Sequence, residues 1–83
     1  MRPRAEIDPE LHTIRSVVSR ADGRERQQIE SARFNLYAAF EARDADAARR
    51  WAAALRAALI AYEGPDELRE IGLGALATIE AAL

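Results

Sequence analysis

The chain has 83 residues, 49% apolar and 31% charged, with a formal charge of −2, no cysteine and one histidine. That length suits one small domain, and the balance of apolar and charged residues is that of a folded chain rather than a disordered one. Disulfides and thiolate metal sites are excluded, and nucleic-acid binding through bulk positive charge is disfavoured.

No apolar run approaches the roughly 20 residues that span a bilayer. The N-terminus lacks the apolar segment of a secretory signal, so a cytoplasmic location without membrane attachment is the expectation. Twelve arginines accompany no lysine, a bias that reads as the codon usage of a GC-rich genome rather than a demand for guanidinium geometry.

In chain order, residues 1–7 read as a flexible lead-in and residues 8–83 as a single helical-bundle domain. Asp8-Pro9-Glu10 combines an N-cap acid, a proline at the first helical position and an acid in the first turn, so a short helix is expected to start there. Leu11, Ile14 and Val18 give it a stripe, with Ile7 and Val17 beside them, and Ala21-Asp22-Gly23 ends it. A second helix is predicted from about Arg24 to Ala42, with Ile29, Leu36 and Phe40 on one face. Phe34 and Tyr37 lie well round from that face, beyond Arg33.

Asp44 or Asp46 caps a third, alanine-rich helix running to about Tyr62, with Trp51, Leu55 and Leu59 on its inner face. The opposite face holds Arg49, Arg56 and the isolated Ile60. No glycine or proline separates the second and third helices, so Arg24–Tyr62 is also compatible with one rod of about 58 Å. In the heptad phase of Trp51, Leu55, Ala58 and Tyr62, however, Glu41 and Asp44 would fall in the seam, which favours a hairpin. Gly64 and Pro65 stop the third helix, and Pro65-Asp66-Glu67 starts a fourth. Its stripe is Leu68, Ile71, Ala75, Leu76 and Ile79, with Gly72 on the stripe for close packing. The fold expected is all-α: a small antiparallel bundle of four helices, three plus a short N-terminal one, around a central alanine-rich hairpin.

Candidate sites are few. Ser19, Gly23 and Ile29 have the spacing of a degenerate helix-turn-helix, in which Arg24, Arg26, Gln27 and Gln28 would contact nucleic acid, helped by Arg2 and Arg4. The positions flanking that glycine, Asp22 and Arg24, are charged where the motif packs apolar residues. Asn35-Leu36, Ala39-Phe40, Asp44, Trp51, Ala54 and Leu55 resemble one tetratricopeptide helix pair over Ser31–Tyr62. The turn glycine is missing and one unit has no neighbour to stack on, so the resemblance implies close small-residue packing rather than family membership. The hairpin also resembles the assembly segments of small terminase subunits in texture.

One imidazole, His12, cannot assemble a nucleophile–base constellation within a single chain, and it reads as solvent-facing. Glu41, Asp44, Asp46, Glu63, Asp66, Glu67 and Glu70 read as capping and dipole-complementing acids. Arg43, Arg49, Arg50 and Arg56 read as salt-bridge partners of nearby acids. No catalytic residue, metal, cofactor or small-molecule substrate is therefore expected.

The residues least explained by a core are Phe34, Tyr37 and Ile60, with Arg33 and Arg56 at their rim. Aromatic residues and arginine are enriched at the centres of protein interfaces. A chain this short has little core of its own. Together these features point to a non-enzymatic helical interaction module, a small bacterial or phage adaptor, assembly or regulatory protein that forms homo-oligomers or binds another protein. The alternative is a small nucleic-acid-associated packaging or transcription-regulatory subunit.

Overall fold

The apolar stripe of the first helix extends one turn further back than its start signal. In the computed structural model, which describes all of Met1–Leu83, α1 runs Arg4–Val18 and contains Pro9 in its interior. Ile7 is buried with Leu11, Ile14, Val17 and Val18. Burying an isoleucine is worth about 1.5–3 kcal/mol, which offsets most of the roughly 3 kcal/mol that an interior proline costs. The Arg2 amide donates to the Ala82 carbonyl at 2.8 Å, and the Arg43 guanidinium donates to the Met1 carbonyl at 3.1 Å. Asp8-Pro9 is thus not the start of the helix, and part of the expected lead-in supplies a helical turn and a core residue.

Three further helices follow: α2 Gly23–Glu41, α3 Ala45–Ile60 and α4 Asp66–Ala81. Asp22 caps α2, its carboxylate accepting from the Glu25 amide at 3.1 Å. Asp44 caps α3 in the same way, accepting from the Ala47 amide at 3.0 Å. Each cap satisfies one of the amides that a helix start leaves without a partner. The rod is broken between the second and third helices by Arg43, whose φ of 57° lies in the left-handed region. The Arg43 amide bonds to the Phe40 carbonyl at 3.1 Å and the Asp44 amide to the Ala39 carbonyl at 2.9 Å. This paired arrangement closes a helix C-terminus and normally recruits glycine. The hairpin is therefore built without the residue type that announces one.

Each helix packs on two neighbours, α1 on α2 and α4, and α3 on α2 and α4, while the diagonal pairs do not bring their backbones within 8 Å between Cα atoms. The result is an up-down-up-down ring of four antiparallel helices, in which α2–α3 and α1–α4 are the most extensive pairings. One core of eighteen apolar residues fills it, and no polar or charged residue is buried. The accessible surface of 4906 Å² matches the roughly 4900 Å² expected of a folded monomer of this mass.

Three expected core residues lie elsewhere. Trp51 and Leu68 are only half-buried at the core's edge, and Ile71 is 51% exposed. The buried face of α3 is Ala48, Ala52, Leu55 and Leu59, with alanines where neighbouring helices come close, so the indole is displaced to the margin. On α4 the buried face centres on Gly72, Ala75, Leu76 and Ile79. A Cβ added at Gly72 would lie 3.1 Å from a Leu59 methyl and 3.6 Å from one of Val17. The missing side chain lets α4 settle against both neighbours and turns Ile71, about 100° round, toward solvent. In the α3–α4 turn a Cβ at Gly64 would overlap the ring of Tyr62, which is 2% exposed and has no room to swing away.

Relieving the left-handed strain at Arg43 should outweigh the flexibility that glycine adds to the unfolded chain. Arg43→Gly is expected to stabilise by about 0.5–1 kcal/mol, raising Tm by about 2–6 °C in a thermal circular-dichroism scan. A lower Tm would show that the Met1 contact outweighs the strain. Gly64→Ala should cost about 1–3 kcal/mol by overpacking, read as a lower urea midpoint at unchanged slope.

Candidate functional site

The five residues singled out for an interface lie on two helices, Arg33, Phe34 and Tyr37 on α2 and Arg56 and Ile60 on α3, and they differ in exposure. Phe34 and Ile60 are 64% and 61% exposed. Tyr37, by contrast, is half-buried and packs against the core, with the Arg4 guanidinium 5.2 Å from its ring centroid. That stacking ties the α2 flank to α1 and is reinforced by Arg4–Asp8 and Arg4–Glu41 ion pairs, each at 2.6 Å. Arg33 is held within α2 by a bidentate pair to Glu30 at 2.7 and 3.0 Å. Arg56 makes a bidentate pair with Glu80, bridging α3 to α4. Both rim arginines are thus engaged within the chain.

The residues of the nucleic-acid reading also divide. Arg26 donates to the Ser19 carbonyl at 3.0 Å and reaches the Val18 carbonyl at 3.4 Å, closing the C-terminus of α1. Arg24, Gln27 and Gln28 are exposed, but they line one wall of a groove rather than a projecting ridge.

That groove, between α2 and α3, is the largest concavity of the molecule, at about 690 Å³. From α2 it takes Gln27, Gln28 and Ser31, with Arg24 at one end and the buried Ala32 beneath. From α3 it takes the half-buried Trp51 and Ala54, Ala57, Ala58 and Ala61. The origin of the groove is local. Side chains as short as alanine line the α3 wall and leave the space that longer ones would fill, while the indole walls it at one end.

The rest of α3 is unusual as well. From Trp51 to Tyr62 its only charged residue is Arg56, which Glu80 neutralises, and Ala53, Ala54, Ala57, Ile60 and Ala61 are all exposed. A helix apolar on every side is ordinarily buried on every side. Sequence reasoning placed Trp51 inward and missed the groove. The available signal was the twelve-residue stretch itself, which carries more apolar positions than one buried face accommodates.

No group of three or more acidic, histidine or cysteine side chains converges to hold a metal ion, and His12 is exposed. Asp46 pairs with Arg49 at 3.1 Å and Asp66 with Arg69, both within their own helices. Glu25 reaches across to accept from the Glu63 amide at 2.8 Å, fastening α2 to the α3–α4 turn. No helix is long and apolar enough to cross a membrane. Compared with known protein families, curated proteins and solved structures, the chain shows no significant match.

Glu30 is the one carboxylate held clearly below its usual range, chiefly by the bidentate hydrogen bonds from Arg33, with burial opposing and the charges of Arg33, Arg15 and Arg26 assisting. A depressed carboxylate stabilises the fold above its unfolded pKa, and that contribution is lost as pH falls through the folded value. Glu30→Gln should therefore lower the urea midpoint at pH 7 by an amount equivalent to less than about 1 kcal/mol. At pH values below the carboxylate range, variant and parent should converge. An equal difference at both pH values would show that the side chain acts through packing instead.

Proposed function

We propose that the chain is a non-enzymatic helical interaction module whose α2–α3 groove receives a helix from a protein partner. One observation carries the reading: α3 leaves an apolar outer surface beside an open groove, in a molecule whose core is otherwise closed. A groove lined by small side chains admits a helix at short interaxial distance, and helix-in-groove docking uses apolar anchors at i, i+3/i+4 and i+7. The α3 wall from Trp51 to Ala61 extends about 15 Å, enough for three such anchors. Trp51 at its margin is the residue type most often dominant in binding energy. Phe34 and Ile60 extend the exposed apolar surface on other faces and are second-rank contacts in this reading. The engagement of Arg26 with the end of α1, and the concave setting of Arg24, Gln27 and Gln28, support a protein partner over a nucleic acid.

The test is retention of partner proteins from cells of the source organism, comparing the parent chain with Ala57→Arg and with Phe34→Ala. Ala57 is exposed, so a long cation there should obstruct the groove while leaving helicity unchanged by circular dichroism. The expected outcome is a stoichiometric partner, either another copy or a different protein, retained by the parent and by Phe34→Ala but lost at least tenfold with Ala57→Arg. Equal retention by all three would remove the groove from the interaction. Salt-dependent DNA binding abolished by neutralising Arg24 would overturn the reading in favour of a nucleic-acid role.

A further inference from the structure

We propose that the helix received by the groove is α3 of a second copy of this chain, packed antiparallel about a two-fold axis, with Arg50 of each copy beside Glu63 of the other. This rests on the groove being a helix-docking surface and goes further by naming its occupant.

The charges at the two ends of α3 carry the argument. Arg50 and Glu63 are both exposed, and neither joins an ion pair within the chain, whereas Arg49, Arg56 and Arg69 each have one. Arg50 lies one turn before Ala54, on the groove side of α3. Glu63 stands at the far end, just beyond the last turn, beside Ala58 and Ala61 and in one hollow with Asp22, Arg24 and Glu25 of the start of α2. Arg50 lies about 15 Å along the helix axis from Ile60, the last residue of α3, and only alanines occupy the shared face on the way to Glu63.

Arg50, Ala54, Ala57 and Ala61 follow one another at intervals of four, three and four, so they share a face. A parallel partner would set like charges against each other at both ends. An antiparallel one about a two-fold sets Arg50 against Glu63 twice, because such an axis repeats every contact.

The same geometry suits the middle of the face. The midpoint between Arg50 and Glu63 falls at Ala57, where two α3 helices would cross. An alanine at that crossing permits the short end of the interaxial range, near 8 Å. Each α3 then lies over the groove of the other copy, and Trp51 of one copy is covered by the end of α3 of the other. This surface selects its own copy through Arg50 at one end and, at the other, Glu63 set with Asp22, Glu25 and Arg24, three acids to one arginine, so that an arriving Arg50 meets net negative charge.

The test is molar mass by light scattering over a dilution series for the parent, Arg50→Glu, Glu63→Arg and the double swap, with circular dichroism on each. Both positions are on the surface, and the bond to the Glu25 carboxylate is donated by the backbone amide of residue 63, a donor that the swap retains. The parent should be a dimer whose dissociation brings a change in Trp51 fluorescence. Each single swap, which turns attraction into repulsion at two symmetric places, should raise the dimer Kd by about tenfold. The double swap should return it to within about threefold of the parent.

A dimer indifferent to the single swaps, or not rescued by the double, would overturn the proposed pairing. A parent that stays monomeric to millimolar concentration would overturn the second copy as occupant. If that monomer still retains a different protein through the Ala57-dependent groove, the docking reading survives alone. If it retains nothing, both readings fail together.

Discussion

Close approach of α2 and α3 is the constraint on which the rest of this molecule depends. Small residues are buried on both sides of the pairing, Ala32 and Ala39 on α2 and Ala48 and Ala52 on α3. Helices that meet through alanine lie nearer together than helices that meet through leucine. With so little side-chain volume at the contact, the larger core residues are pushed to the opposite side, where Leu36, Phe40, Leu55 and Leu59 meet the stripes of α1 and α4. On the outer side the same shortage of volume leaves a trough. The core and the groove are thus two results of one compositional choice.

Electrostatics fasten this arrangement at its edges. The charged groups that bridge different helices do so at the surface: Arg4 from α1 to Glu41, Arg56 from α3 to Glu80, and Glu25 to the amide of Glu63. Partly exposed pairs of this kind add little stability individually. Their effect is on register, since each joins a particular residue of one helix to a particular residue of another. An apolar ring of helices has weak preferences for sliding, and these contacts remove that freedom. The Arg4–Tyr37 stacking does the same for the flank of α2 that carries Phe34.

Much of the fold was legible in the sequence because its punctuation is ordinary. Asp44 caps a helix as its position announced, Ala21-Asp22-Gly23 and Gly64-Pro65 each mark the end of one, and the periodic stripes of Leu11, Ile14 and Val18 or of Leu76 and Ile79 face inward. The misreadings share a physical cause. Pro9 behind Asp8 has the pattern of a helix start, but the burial of Ile7 overrides it. Ile71 and Trp51 have the right period for the core, yet Gly72, Ala48 and Ala52 shift the axes of closest contact and rotate both residues outward. Arg43 gave no signal because a left-handed residue there is set by the packing of the two helices rather than by local preference. The groove was hidden for the same reason. Alanine reads as neutral in a periodic pattern, and only its opposing helix reveals whether it marks a contact or a vacancy.

The bond between the Arg2 amide and the Ala82 carbonyl bears on the order in which the chain assembles. α2 and α3 are joined by a turn of three residues, so their pairing needs only a short excursion of the chain. α1 and α4 come from the two extremities, and bringing them together means closing nearly the whole sequence into a loop. Loop-closure entropy makes such distant contacts slow to form relative to neighbouring ones. The hairpin that carries the groove is accordingly the natural nucleus, and the α1–α4 seam is the clasp that shuts last. Until it shuts, Leu59 and Leu76 stand open to water. The nascent chain then displays two apolar surfaces, of which the mature one retains only the groove.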